Sequence, residues 1–141
     1  MGTAATGTPT LKEYIGIAPA DDFALAEIVE RGLPTKNLEL LKARGLTFTE
    51  MANTVISPRT LKHRKARGEK LTPAESERAI RVASIIRLAE KVFGNPEKAM
   101  GWLRYPNTRL DGRTPMSMLH TAAGGDFVES MLQGIAHGVY S

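Results

Sequence analysis

Apolar residues recur at intervals of three and four along much of the chain, which is the spacing of helices with one buried face. The longest such stripe has arginine and lysine on its other faces and consists of Ala79, Val82, Ala83, Ile86, Ala89, Val92 and Phe93. Thr72 and Glu75 precede it as a capping box, and Gly94 comes directly after it. We therefore predict a long connecting core helix over residues 72–94. No segment reads as a convincing strand, so the predicted fold class is all-α.

Shorter elements are predicted before the long helix. A first helix stops at Gly45. Thr47 and Glu50 form a capping box for a second helix, and Ser57 begins a third. Short helices joined by a brief turn are typical of the helix-turn-helix fold, which we predict over residues 19–71.

The start of the chain has a different composition. Its first ten residues are small and polar and cannot bury enough surface to offset the entropy of ordering. We expect residues 1–18 to form a disordered tail. An acidic helix is predicted from about Pro19 to Glu30, with Asp21 and Asp22 favourably placed in its first turn, and the pattern assigns it no role.

Residues 95–141 are predicted to form a second small helical module. Asn95 and Thr114 each place a capping side chain before a proline, which predicts two helix starts. Gly124 and Gly125 are expected to interrupt the chain before a last helix. That helix is predicted to direct five apolar residues inward, namely Phe127, Val128, Met131, Leu132 and Ile135.

Positive charge is concentrated in one stretch of the chain. The formal net charge is −4 over residues 1–30, +7 over residues 31–70 and +1 over residues 71–141. A basic block that coincides with short predicted helices is the electrostatic footprint of a phosphate-facing surface. A solvated basic face is the plainer alternative for a charge run of this kind.

The third short helix carries half of the lysines and arginines in that block. Leu61 is its clearest apolar anchor, which lets such a helix dock on a partner helix while its other faces present donors to the major groove and phosphates. The candidate DNA-binding residues are Arg59, Lys62, His63, Arg64, Lys65 and Arg67.

The composition argues against catalysis and against a bound cofactor. The chain has no cysteine, and His63, His120 and His137 lack metal-ligand spacing, so we expect no metal site. It also has no Ser/His/Asp order, no evident carboxylate pair and no glycine-rich phosphate loop, so we expect no catalytic residues. No segment reads as a membrane span or a signal peptide. We expect a soluble, cytoplasmic protein that is not an enzyme.

Two sets of residues resemble a known family. The C-terminal set comprises Trp102-Leu103, Pro106-Asn107, Leu110, Gly112, Thr114-Pro115, Leu119, Thr121, Gly125, Val128, Leu132, Ile135 and Gly138. It resembles the toxin-binding domain of the Xre/MbcA/ParS antitoxins. The upstream set is similar to the Xre-type helix-turn-helix half of that family and comprises Gly32-Leu33-Pro34, Ile56-Ser57-Pro58-Arg59-Thr60-Leu61, Glu75-Ser76-Glu77-Arg78 and Val92-Phe93-Gly94.

The resemblance implies an N-terminal Xre-type helix-turn-helix bundle fused to a small C-terminal helical toxin-binding domain. It implies an antitoxin of a bacterial type II toxin-antitoxin pair, whose partner is usually a RES-domain toxin that destroys NAD. The C-terminal half is expected to cover the toxin's active site, and the N-terminal half to repress its own operon by binding operator DNA. A homodimer is expected because a small helix-turn-helix reads a two-fold site with paired helices. A free-standing helix-turn-helix regulator and an antitoxin of an ADP-ribosylating toxin are the alternatives.

One position departs from the family's pattern. Relatives usually have a glycine in the turn before the recognition helix, where this chain has Val55. Positive φ is costly for a β-branched residue, so we expect the turn to differ or its register to shift.

The end of the chain supplies the candidate toxin-binding residues, which are His137, Gly138, Val139, Tyr140 and Ser141. A protruding tyrosine beside a free carboxylate suits insertion into another protein's pocket. A frayed terminus that folds back on its own core is the alternative.

Overall fold

The computed structural model describes residues 10–138, and within that range every regular element is helical. The α-helices are α1 (Leu11–Ile15), α2 (Asp22–Arg31), α3 (Leu38–Ala43), α4 (Phe48–Thr54), α5 (Pro58–Ala66), α6 (Pro73–Phe93), α7 (Pro96–Leu103) and α8 (Ala122–Ala136). Short 3₁₀ helices cover Thr35–Asn37, Thr108–Leu110 and Met116–Met118. The all-α fold class is confirmed. Within residues 10–138, each helix is too short or too polar to serve as a membrane span.

Helix α6 forms the centre of the core. The Thr72 hydroxyl accepts from the Glu75 N–H at 3.1 Å, and the Glu75 carboxylate accepts from the Thr72 N–H at 2.8 Å, which confirms the predicted capping box. Helix α6 contacts α1, α2, α4, α7 and α8. Its buried apolar residues are Ala79, Ile80, Val82, Ala83, Ile85, Ile86 and Ala89. Burial of one isoleucine side chain contributes about 2 kcal/mol to stability. Because helices from both halves of the chain pack against these residues, α6 joins the two halves in one core.

The N-terminal segment is structured from Thr10 onward. The prediction of a disordered tail over residues 1–18 is therefore wrong for residues 10–18, while residues 1–9 lie outside the described range. Thr10 and Glu13 form a capping box for α1, which then packs against α3 and α6. The prediction counted the small polar residues at the start of the chain and overlooked this cap and the apolar residues beyond it.

Tyr14 and Ile15 explain why this short helix is ordered, since both are fully buried. The Tyr14 hydroxyl donates to Glu90 Oε1 at 2.5 Å, and the Arg44 guanidinium lies 4.0 Å from the centre of the tyrosine ring. Burial raises the pKa of Tyr14 to about 12, with a smaller contribution from the hydrogen bond to Glu90, so the hydroxyl stays protonated even at pH values where an exposed tyrosine ionises. Burial of these side chains offsets the entropy of ordering the segment.

Helix α8 runs unbroken through Gly124 and Gly125, so the predicted interruption there is wrong. The Thr121 hydroxyl accepts from the Gly124 N–H at 3.0 Å and caps the helix ahead of both glycines. A Cβ on Gly124 would lie 2.0 Å from the Met118 carbonyl oxygen, and one on Gly125 would lie 2.6 Å from Arg81 Cδ. The two glycines therefore permit close packing of the first turn of α8.

The inward face of α8 differs from its prediction at one end. Val128, Met131 and Leu132 are buried as predicted, and Ile135 is half-buried. Phe127 is 41% exposed, so its predicted inward position is wrong. The buried glycines belong to the same stripe, and at 3.6 residues per turn Phe127 lies about a quarter turn from the centre of that stripe.

The other two predicted helix starts lead into elements of different length. Asn95 Oδ1 accepts from the Lys98 N–H at 2.9 Å, and α7 begins directly after this cap. The Thr114 hydroxyl accepts from the Ser117 N–H at 3.1 Å, but the turn that it caps continues only as a short 3₁₀ helix.

The packing of α8 predicts opposite effects for two glycine-to-alanine substitutions. Gly124→Ala should lower the free energy of unfolding by about 2 kcal/mol, because its methyl group would collide with backbone that cannot rotate away. Gly101→Ala, in α7, meets no atom within 4 Å and should raise that free energy by up to about 1 kcal/mol through helix propensity. Urea denaturation monitored by circular dichroism measures both. Equal stability of the two variants would contradict the packing role of Gly124.

Candidate nucleic-acid interface and C-terminal surface

Helix α5 has the local sequence of a short surface helix. The Ser57 hydroxyl accepts from the Thr60 N–H at 3.2 Å, and Pro58 occupies the first helical position, where its missing N–H has no cost. None of its residues is fully buried. Leu61 is half-buried and packs against the core, as its predicted role as the apolar anchor requires. The position of α5 therefore depends on few side chains.

Four of the six candidate DNA-binding side chains lie on the outward side of α5 or, for Arg67, directly after its last residue. Arg59, Lys62, His63 and Arg67 succeed one another at spacings of three, one and four residues, and all four are exposed. Within residues 10–138, none of these four side chains makes an ion pair or hydrogen bond. Their donors are therefore available to phosphates or base edges.

Arg64 and Lys65 have other surroundings. Arg64 points inward, where its Nε and Nη2 donate to the two carboxylate oxygens of Glu75, each at 3.0 Å, and its Nη1 lies 3.2 Å from Glu69 Oε1. Lys65 Nζ lies 3.8 Å from Glu39 Oε2 at the edge of the basic face. The structure therefore places Arg64 in the fold and away from the outward face.

The Glu75 carboxylate remains charged because of these partners. Burial works to raise its pKa, but the hydrogen bonds from Arg64 and from the Thr72 N–H outweigh burial and hold the pKa below its usual value. A bidentate arginine-carboxylate pair is stronger and more directional than a single ionic contact. The sequence identified Glu75 as a cap residue but not as the partner of Arg64, because the two residues are eleven positions apart and no local pattern connects them.

The turn between α4 and α5 does differ from a glycine-containing turn, as Val55 predicts. Val55 has φ −114° and ψ −63°, so it avoids the left-handed region. Val55 and Ile56 are buried, and the Val55 carbonyl accepts from Arg78 Nε of α6 at 2.9 Å. The turn is therefore held by α6.

A second arginine fork joins the C-terminal half of the chain to α4. Arg104, directly after α7, donates through Nε to Glu50 Oε2 at 2.7 Å and through Nη2 to Glu50 Oε1 at 2.9 Å. The same Nη2 reaches the Gly45 carbonyl at 2.7 Å. Glu50 also accepts from the Thr47 N–H at 3.0 Å, which confirms that predicted capping box. Helix α4 and the C-terminal half of the chain are thus fixed to each other.

The C-terminal surface is formed mainly by α8. Phe127 is exposed on this helix, and His137 and Gly138 are exposed at its end, where Gly138 has φ +74°. The other three candidate toxin-binding residues, Val139, Tyr140 and Ser141, lie outside the described residues. Within residues 10–138, no three acidic, histidine or cysteine side chains are grouped as metal ligands would be.

Comparison with known proteins assigns a family to each half of the chain. The antitoxin Xre-like helix-turn-helix domain matches residues 24–84, and the antitoxin Xre/MbcA/ParS C-terminal toxin-binding domain matches residues 88–138. The two matches run from within α2 to the end of α8 and leave three residues of α6, 85–87, between them.

Three curated relatives extend this similarity over most of the chain. Antitoxin Xre of Pseudomonas putida is 41% identical over 119 residues, which cover 84% of this chain and 75% of the relative. Antitoxin Xre of Photorhabdus laumondii is 33% identical over 131 residues, with 90% and 88% covered. Antitoxin Xre of Yersinia enterocolitica is 29% identical over 142 residues, with 99% and 96% covered. The chain therefore belongs to the Xre antitoxin family, in which a helix-turn-helix domain precedes a C-terminal toxin-binding domain.

Proposed function

We propose that this protein neutralises a RES-type, NAD-degrading toxin by covering its active site, and that it represses its own operon by binding operator DNA. The observation that carries the proposal is the pairing, on one core, of an exposed basic helix with a domain of the toxin-binding family. The protein acts by binding and catalyses no reaction. RES specificity rests on the family resemblance, since no contact within the described part of the chain selects one toxin class.

The DNA half of the proposal rests on the outward face of α5. Arg59, Lys62, His63 and Arg67 meet the major groove and its phosphates, and Lys65 lies beside them. Arg64 supports this face from inside the fold, because its guanidinium is bonded to Glu75.

The toxin half of the proposal rests on the end of the chain. The Tyr140 ring offers flat apolar area at low entropic cost, and the Ser141 carboxylate can pair with an arginine that would otherwise hold a phosphate. In sequence they directly follow His137 and Gly138, which are exposed at the end of α8. The terminus would act as a plug in a nucleotide-sized pocket.

Co-expression with the neighbouring gene separates this proposal from the alternatives. We expect a single protein to co-purify with the antitoxin and, once released, to destroy NAD. A partner that instead transfers ADP-ribose to protein would identify the other toxin class. Recovery of the chain without any partner would favour a free-standing regulator.

Homodimerisation is the first expected outcome, because paired recognition helices read a two-fold site. Light scattering at tens of micromolar should give the mass of a dimer. A monomer under these conditions, with and without promoter DNA, would remove the two-fold argument.

Loss of DNA binding is the second expected outcome, for a variant with Arg59, Lys62 and Arg67 replaced by alanine. Promoter affinity should fall steeply. The negative slope of log affinity against log salt should become shallower by about three units, one for each lost phosphate contact. Fluorescence anisotropy over a salt series measures both. The matched control replaces exposed Lys12, Lys91 and Lys98, which removes the same charge from α1, α6 and α7. An equal loss of promoter affinity in the two variants would show that net charge, and not the face of α5, determines DNA binding.

Release of the toxin is the third expected outcome, for a chain that ends at Ala136. NAD loss should resume with the shortened protein, although it still folds, dimerises and binds DNA through residues that precede His137. The Phe127→Ala variant, altered on the exposed face of α8, should still protect NAD. The opposite pattern, with protection by the shortened chain and release by Phe127→Ala, would replace the plug by occlusion through the α8 surface.

A further inference from the structure

Helix α5 packs against the 3₁₀ helix Thr35–Asn37 and makes only a small apolar contact with the core. Its mean hydropathy is low, none of its residues is fully buried, and Leu61 is its one half-buried apolar anchor. Apolar contact is not directional, so a single leucine does not fix the angle of a helix. Hydrogen bonds are directional, and the bonds to α5 and to the turn before it therefore decide how the outward face is presented.

The bonds that reach this segment from α6 come from two side chains three residues apart near its beginning, beside the contacts of Arg64 with Glu69 and of Lys65 with Glu39. Glu75 holds α5 through both oxygens, each 3.0 Å from a nitrogen of Arg64. Arg78 holds the preceding turn through the Val55 carbonyl, at 2.9 Å from its Nε. Residues three apart on a helix lie on the same side. One face of α6 therefore binds both Arg64, within α5, and the Val55 carbonyl, in the turn before it.

Glu75 is suited to this task by its own restraints. Its residue is 7% exposed, and the carboxylate also accepts from the Thr72 N–H at 2.8 Å, within the capping box of α6. The acceptor is therefore held by the capping box of α6 as well as by Arg64. The geometry of the fork carries this restraint across to α5.

We propose that Glu75 and Arg78 are positioning residues that set the pose of the recognition helix, with Arg64 as the receiving group on α5. The inference rests on the proposed DNA binding and deepens it. Arg64 contributes orientation and no phosphate contact, although it belongs to the basic block. The turn that Arg78 holds is itself packed, since Val55 and Ile56 are both buried.

The variant Arg64→Lys separates orientation from charge. Lysine keeps the positive charge but presents a single ammonium, which cannot form the two parallel bonds of a guanidinium. We expect the ratio of promoter affinity to random-sequence affinity to fall about tenfold, because base contacts need a fixed helix angle whereas phosphate contacts tolerate some variation. Random-sequence affinity, the salt slope and toxin binding should remain within about twofold of the wild type.

Two further variants complete the measurement. Lys62→Ala should weaken binding to both DNAs and lower the salt slope by about one unit, as loss of a phosphate contact does. Glu75→Gln keeps an acceptor for the Thr72 N–H but removes the carboxylate, so it should lower the affinity ratio as Arg64→Lys does. Anisotropy is measured well below each melting temperature, so that loss of folded protein does not enter the ratio.

The possible results separate this inference from the function on which it rests. An Arg64→Lys variant with the wild-type affinity ratio would overturn the positioning role, and a salt slope lower by about one unit would make Arg64 a phosphate contact. A wild-type protein that shows no preference for the promoter over random DNA would overturn the proposed DNA binding, and this inference with it.

Discussion

The burial of α6 is the constraint on which the rest of the described structure depends. This helix is apolar on more than one side, and an apolar surface of that width is covered only when several elements pack around it. Helices of the N-terminal half cover it from one direction, while α7 and α8 cover it from another. The two matched family domains therefore share a core, and their boundary falls within a single helix.

Much of the fold could be predicted from the sequence because helix starts are local. A capping box such as Thr47 with Glu50 satisfies backbone groups within four residues, so it is legible without a structure. The errors arose where distant residues decide the outcome. Tyr14 is ordered by Glu90 and Arg44, which lie far from it in sequence, and Gly124 is required by the approach of Met118 backbone.

The candidate DNA surface was only partly predictable for the same reason. Periodicity identifies the outward side of α5, since Arg59 and His63 lie nearly opposite Leu61 and Lys62 lies toward their side. Periodicity does not reveal that Arg64 is bonded to the Glu75 carboxylate of α6, or that the Val55 carbonyl accepts from Arg78 of the same helix. A basic residue near a groove and a basic residue that aligns a helix look alike in sequence, and their bonded partners distinguish them.

The fork between Arg104 and Glu50 has a consequence for the size of any assembly built from this chain. It clamps the far side of the helix-turn-helix to the segment after α7, while α6 already spans both halves. The fork restrains the distance from α4 to α8, and the Arg64–Glu75 pair restrains α5 on α6, so the distance from α5 to α8 is restrained as well. A protein bound to α8 and DNA bound to α5 would therefore be held at a restrained separation. The size of one would limit the space available to the other.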